Sequence, residues 1–471
     1  MIFLDFFILM NPVLPTKIVR LLNKHEKMCR TLFILQVILA ILLSNYIFVR
    51  SVVKKQVIYI KQENSVNVFK QGGKEFYALA TLKQKIKANP TTTLMPSVEE
   101  LWEFRKSWPR TMKSKLSMLG RRMFLGDFSN QTQQNRNFKI AVWHFGSYLE
   151  RRFLKWFSTE SHPPFDACSV NNCEIIYASD NSKLKDVDGV LFHLHRTAGV
   201  ESLPKYRTAT QRWIFMTDEN PFNTFLLSKT YTMRDFNSIF NWSMTYRYDS
   251  DIPVPYGRVI PLPEDENISL ELPTDYTENK KKLVAIYASD CIGKNDRWNY
   301  IQDLKQFIQV DIIGRCGPKN CTIGSKMFGA DCPLLRQYKF YLAFENANCD
   351  GYITEKFWFN PFDKNIIPVV MGPTKLQYEL FAPANSFIHV DDFESPKELA
   401  NYLLKINDNS SLYNSFFEWK AKFKQLNEHG YFGIPNFHYC RICEALNYNS
   451  KEQRVYDDLE KFWDYRTDCK Q

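Results

Sequence analysis

The chain has 471 residues, 45% of them hydrophobic, 15% aromatic and 24% charged, with a formal net charge of +10. This length exceeds one ordinary domain and the apolar fraction supplies sizeable cores, so two domains with flanking segments are expected. No run of Lys and Arg is long enough for a nucleic-acid tail, and Lys280, Lys281 and Lys282 read as a solvated linker.

Residues 1–30 form a short tail. The opening apolar run Met1 to Met10 contains Asp5 and lacks a basic leader, so it makes a poor signal peptide. Lys17, Arg20, Lys24, Lys27 and Arg30 then lead into Thr31 to Val49, a 19-residue apolar span without a formal charge. That span is long enough to cross a bilayer and reads as a retained signal anchor, with a buried core helix as the competing reading. Basic residues flank it on both sides, so charge alone does not orient it. Cysteines and glycosylation sequons do. Of 11 cysteines only Cys29 precedes the span, where it is either acylated or a plain thiol. The sequons at Asn130, Asn241, Asn267, Asn320 and Asn409 all follow it. Both favour an oxidising, glycosylating compartment: tail cytoplasmic, body lumenal. Residues 50–135 are polar and read as a stem, partly helical over Val98 to Met118. The stem is a candidate homodimer contact.

Residues 136–275 read as a first α/β domain. Its strands are Lys139 to Trp143, Glu174 to Tyr177, Gly189 to Phe192 and Trp213 to Met216, separated by helical or polar spacers. The third strand ends at His193-Leu194-His195-Arg196, the fourth at Thr217-Asp218-Glu219-Asn220-Pro221. Residues 259–282 read as the linker, and 276–436 as a second domain with strands Leu283 to Tyr287 and Val310 to Ile313 and a helix over Asp296 to Gln306. Ser395-Pro396-Lys397-Glu398 is a capping box opening a helix, and a longer helix is expected over Ser410 to Leu426. Residues 437–471 form a C-terminal segment with Cys440-x-x-Cys443. No partnering His/Cys cluster accompanies that pair, so a zinc or redox site is not favoured.

The most informative stretch is 338–373. An apolar run, Phe340 to Phe344, ends in Glu345-Asn346, a loop with Cys349, Asp350 and Gly351 follows, and Tyr352 to Trp358 reads as a helix start. A second apolar run, Ile366 to Val370, completes a βαβ unit. On one helix Tyr352, Glu355 and Lys356 would share a face. The set of aromatic ring, hydroxyl-binding carboxylate and anion-binding ammonium suits a nucleotide-sugar pocket. The strings FYLAFEN, YITEKFW and PVVMG resemble the signature of the α1,3/4-fucosyltransferases, and 240–257 resembles the family's second long signature. The resemblance covers roughly residues 138–465, and the loop 316–349 with ENANC is similar to the core-type enzymes of invertebrates and plants.

That resemblance implies a fold of two Rossmann-like domains facing across a cleft (GT-B), with GDP-β-L-fucose held by the second. It implies inverting transfer to the 3-hydroxyl of N-acetylglucosamine: the innermost residue of N-glycans, or alternatively outer LacNAc or LacdiNAc units. An inactive Golgi glycan-binding or scaffold protein is the reading of another class. The positive charge suits the donor diphosphate. Glu219 is the expected general base, with Asp218 its rival; the family's Glu-Ser-Pro element reads Glu-Asn-Pro here. Arg297 and Lys356 are expected to neutralise the diphosphate, with Ser289, Asn346, Tyr352 and Glu355 completing the donor pocket. His195 and Arg196 are acceptor-side candidates, a core-packing histidine being the alternative for the former. Asp249-Ser250-Asp251 is a weak Asp-x-Asp match far from the donor unit, so no bound metal is expected to be obligatory, though Mn2+ or Mg2+ would assist a diphosphate. By the same resemblance Cys440 and Cys443 pair with Cys168 and Cys173; Cys316, Cys321, Cys332 and Cys349 form a second cluster beside the donor loop and are expected to be bridged among themselves, leaving Cys291 and Cys469 unassigned.

Overall fold

The computed structural model describes residues 105, 108–127, 133–144, 165, 168–228, 230–262, 275–318, 321, 331–383, 385–430 and 436–470. The span Thr31 to Val49, the tail and the sequons at Asn130, Asn267 and Asn320 lie outside them. Among the described residues no helix is long and apolar enough to cross a membrane.

Two short helices come first, α1 (Arg110–Ser114) and α2 (Met118–Leu125). The Ser117 hydroxyl accepts from the Gly120 N–H, and Gly126 ends α2 in the left-handed conformation (φ 63°). Here the expected stem needs correction. Trp108, Met112, Leu116, Leu119, Met123 and Phe124 are buried in one core with Ile140, Val142 and Met244 of the first domain. The chain from 108 to 125 thus belongs to the folded body, because its apolar residues find cover there.

The first sheet is wholly parallel: β1 (Phe138–Trp143), β2 (Cys173–Ala178), β3 (Gly189–His193), β4 (Arg212–Met216), β5 (Trp242–Thr245) and β6 (Ile252–Pro253), in spatial order β2-β1-β3-β4-β5-β6. Strands β3 and β4 are buried at every position, which is why they read as continuous apolar runs rather than alternating ones. A further strand, β7 (Gly257–Pro261), leads out of this domain.

The second parallel sheet contains β8 (Lys282–Tyr287), followed by α3 (Arg297–Leu304), then β9 (Val310–Ile313) and β10 (Tyr338–Phe344). After the short β11 (Asn348–Cys349) and α4 (Glu355–Trp358) come β12 (Ile367–Met371), α5 (Lys375–Phe381) and β13 (Ile388–His389). The order is β13-β12-β10-β8-β9. Each sheet therefore reverses direction beside its first strand, and in such sheets ligands gather at the strand ends near that reversal.

The helix α6 (Pro396–Asn407) starts where the capping box places it: the Ser395 hydroxyl accepts from the Glu398 N–H, with Leu399 and Leu403 buried. The longer helix expected over Ser410 to Leu426 does not form. Only α7 (Ser410–Ser415) is helical, and Phe423–Asn427 is a strand, β14, paired antiparallel with β7. Pairing with a partner more than 150 residues away in sequence overrode the local preference. This ribbon carries the chain back to the first domain, where α8 (His438–Tyr448) packs on the first sheet. The chain ends in α9 (Tyr465–Asp468) and β15 (Cys469–Lys470).

Cys168 is bonded to Cys440 and Cys173 to Cys443, so α8 is stapled to the first domain across sequence separations of 272 and 270. The second cluster differs from the expectation. Only Cys321–Cys332 lies within it; Cys316 bonds Cys291, and Cys349 bonds Cys469. The last bond joins the loop before α4 to the C-terminal strand, where β11 and β15 also pair antiparallel. Loops this long lose much chain entropy on closure, so the Cys168→Ser/Cys440→Ser variant is expected to lose about 2–5 kcal/mol of stability, read by denaturant unfolding under non-reducing conditions. An unchanged midpoint would show that α8 docks without its staple.

Candidate functional site

One wall of the site comes from the ends of β3 and β4, which are neighbours in register. After β4 the chain turns through Thr217 to Asn220, and the Asn220 side chain caps the next turn by accepting from the Phe222 N–H. The preceding residues are thereby held outside the sheet. Glu219 is half-buried there. Its Oε2 accepts from the side chains of Asn220 and Asn223, each at 3.4 Å. Burial pushes the Glu219 carboxyl above its usual range, the neighbouring Asp218 adds to this, and Lys356 works against it. A raised carboxylate is a better proton acceptor near neutral pH.

The other wall is the β10–α4 turn of the second domain. Asn346 follows β10, and its Oδ1 accepts from Asn220 Nδ2 at 3.0 Å. Tyr352 is buried, and its hydroxyl donates to Glu219 Oε2 at 3.0 Å. The two domains therefore meet at the carboxylate. The three residues expected on one helical face are arranged otherwise, since α4 begins only at Glu355. Thr354 is its N-cap and Tyr352 lies before it, because the Thr354 hydroxyl accepts from the Lys356 N–H in the first turn. Convergence comes from the turn, not from helical spacing.

Glu345 was not singled out by sequence, although a charged residue closing an apolar run was a usable signal. It is fully buried. Its carboxylate accepts from the Thr354 N–H at 2.8 Å and from Lys356 Nζ at 3.1 Å. It thus pins the start of α4 and aims Lys356. Burial works to lower the Lys356 ammonium, but Glu345, Glu355 and Glu219 outweigh it and raise it, so Lys356 stays charged. Glu355 is half-buried beside it, 3.4 Å from Nζ. Across the ribbon, Trp358 packs on Gly257 so closely that a Cβ there would fall 2.6 Å from the indole.

Other expected residues are placed differently. Arg297 is buried, with its guanidinium donating to the carbonyls of Asp290, Ile292 and Phe344 and paired with the Asp290 carboxylate at 3.2 Å. In this geometry it braces the loop after β8. Ser289 is exposed at the end of β8, and its carbonyl accepts from Arg315 Nε at 2.6 Å. His195 and half-buried Arg196 lie in the turn after β3. Burial pushes His195 down to about 4 against the pull of Asp218, so it is neutral at pH 7. Its Nδ1 lies 2.8 Å from the Asn223 carbonyl, which fixes the proton on Nδ1 and leaves Nε2 an acceptor.

The remaining candidates have structural employment. Asp249 pairs with Arg247, and Asp251 is buried with Ser243 and Tyr456. Among the described residues no cluster of three His, Cys, Asp or Glu side chains is arranged to hold a metal ion. Asn241 is buried, its amide nitrogen donating to the Arg454 carbonyl at 2.7 Å and its oxygen accepting from the Trp213 N–H at 2.8 Å. This sequon asparagine is thus a buried amide hydrogen-bonded inside the fold. Asn409 is exposed, and its side chain caps α7.

Comparison with known proteins gives the family. The family described as "Fucosyltransferase, N-terminal" matches residues 139–257, and "Glycosyltransferase family 10 (fucosyltransferase) C-term" matches 277–463. The chain is 40% identical over 227 residues to glycoprotein 3-alpha-L-fucosyltransferase A of Drosophila melanogaster, covering 47% of this chain and 43% of that protein. It is 33% identical over 335 residues to alpha-(1,3)-fucosyltransferase 7 of Mus musculus, covering 69% of this chain and 75% of that protein. A crystal structure of an α1,3-fucosyltransferase with GDP-fucose aligns over 74% of this chain and 99% of its own, with 16% identity and a TM-score of 0.42. The chain therefore belongs to glycosyltransferase family 10, the α1,3-fucosyltransferases.

Proposed function

We propose that the protein moves L-fucose from GDP-β-L-fucose to the 3-hydroxyl of an N-acetylglucosamine, with inversion. The observation that carries this is the meeting of Glu219 from the first domain with Tyr352 from the second, beside Lys356. In the reaction Glu219 accepts the hydroxyl proton while the hydroxyl oxygen forms a bond to C1. The C1–O bond to phosphate breaks, and GDP leaves with the electron pair. Lys356 faces the growing leaving-group charge, and Glu355 binds fucose hydroxyls. Tyr352 and Asn346 bound the donor, with Ser289 at the rim, and His195 and Arg196 receive the acceptor. A divalent cation is a stimulant here, not a requirement.

The acceptor proposed is the innermost N-acetylglucosamine of N-glycans. The cysteine-rich loop before α4 and the similarity to the fly glycoprotein 3-alpha-L-fucosyltransferase A support it. Outer LacNAc or LacdiNAc is the second reading, favoured by the similarity to the mouse alpha-(1,3)-fucosyltransferase 7. The location proposed is the Golgi membrane, type II through Thr31 to Val49, with the body lumenal. The test offers the full chain GDP-fucose with a paucimannose N-glycopeptide or a LacNAc oligosaccharide, with and without EDTA. Transfer to the glycopeptide alone is expected. Transfer to LacNAc alone would replace the core assignment, and GDP-fucose binding without transfer to either would favour an inactive glycan-binding protein.

A further inference from the structure

Behind Glu219 lies a buried group that the transfer reaction as described does not use. The Asp218 carboxylate is 2% exposed. His193 Nε2, from the end of β3, stands 3.5 Å from its Oδ1, and His429 Nε2 stands 3.4 Å from its Oδ2. Both imidazoles are themselves buried. The Asp218 main chain is held as well, since the Tyr256 hydroxyl donates to its carbonyl at 2.6 Å. The Tyr256 ring stacks on His429 with centroids 3.8 Å apart. One residue from the carboxylate that meets Tyr352, both main chain and side chain are therefore clamped.

The position of His429 is itself built. It follows β14 and bridges to Asn436, and His438 packs edge-on against it at 4.5 Å. The preceding residue, Glu428, is buried between Arg258 at 3.1 Å and Arg441 at 3.0 Å. Arg441 lies on α8 beside Cys440 and Cys443, the two stapled cysteines. A segment more than 200 residues downstream is thus fastened so that one imidazole reaches Asp218.

We propose that His429 is a positioning residue for proton transfer: together with His193 it holds the Asp218 carboxylate, and through Asp218 it fixes the place and charge environment of Glu219. This rests on Glu219 being the base. The groups that face the pair are His193, His195 and His429 around Asp218, and Lys356, Tyr352, Asn220, Asn223 and Tyr246 around Glu219. The Asp218 carboxylate beside the base makes it more basic, while the two imidazoles hold that carboxylate in place.

The test measures kcat, KM for GDP-fucose and the pH profile of kcat in the full-length protein for His429→Phe, His429→Gln, Asp218→Asn and Glu219→Gln. Phe retains the stacking on Tyr256 but removes the nitrogen; Gln restores a donor at about the place of Nε2. His429→Phe is expected to lower kcat at least about tenfold with KM for GDP-fucose unchanged, since small misplacements of reacting groups cost rate steeply. His429→Gln recovers most of that loss. Asp218→Asn moves the acidic limb of kcat to lower pH, because removing a neighbouring negative charge makes Glu219 easier to ionise. Wild-type kcat in His429→Phe, equal losses in the Phe and Gln variants, or an unmoved limb in Asp218→Asn would each overturn the proposal while a low Glu219→Gln activity leaves the base in place. Near-normal turnover in Glu219→Gln would instead overturn the base assignment, and this inference with it.

Discussion

Glu219→Gln is expected to lower kcat by about 10²- to 10⁴-fold, the usual worth of a positioned general base, while GDP-fucose still binds. Glutamine keeps an oxygen for Tyr352 to donate to, so the contact between the domains survives. The pH dependence of the parent enzyme follows from the same residue. Burial first, and Asp218 second, raise the Glu219 carboxyl. As the proposed base Glu219 must be ionised to work, so kcat is expected to fall as pH drops through this raised value, with the acidic limb above the about 4.3 of a free glutamate. Stability runs the other way. A carboxyl whose folded pKa is raised favours the fold when protonated and weakens it as pH rises through that pKa. Glu219→Gln is therefore expected to hold or raise the melting temperature at pH 7. A variant that lost activity and melting temperature together would indicate a structural role for Glu219.

Lys356→Ala is expected to lower kcat by about 10²- to 10³-fold, the range seen when one fixed donor to developing charge is removed. Two consequences compete in this variant. In the proposed mechanism the leaving diphosphate loses a cation, and the fully buried Glu345 loses its counter-charge. Removing one partner of a buried ion pair costs about 3–5 kcal/mol. The lower end applies here, because Thr354 still donates to Glu345 through its N–H and its hydroxyl. Glu345→Gln separates the two effects. It keeps Lys356 and the Thr354 hydroxyl but removes the buried charge, so its turnover is expected to lie between those of the parent and Lys356→Ala. Turnover in Lys356→Ala within tenfold of the parent would move the anion-stabilising role elsewhere.

Much of the scaffold was legible because buried parallel strands leave a plain trace. Strands β3, β4 and β12 are buried at every position, and β10 at all but Lys339, so each carries an apolar run visible in the sequence; the runs in β4 and β10 are closed by polar residues. Those closing residues include Asp218, Glu219, Glu345 and Asn346, which is why the site could be approached from sequence at all. The turn with Thr354, Glu355 and Lys356 was likewise local, and so was the start of α6 at Ser395.

What sequence alone determined were features set by neighbours within a few residues: strand runs, capping turns, the motif around α4 and the membrane-length span near the start. Only the tertiary structure decided that Phe423–Asn427 is a strand, that 108–125 belongs to the core, and that Cys349 meets Cys469. It also decided that Arg297 donates to backbone carbonyls, and that His429 reaches Asp218. The physical reason is the same in each case. These outcomes depend on which segment outside the element itself satisfies a polar group or covers an apolar one, and such a partner leaves no periodicity in the local sequence.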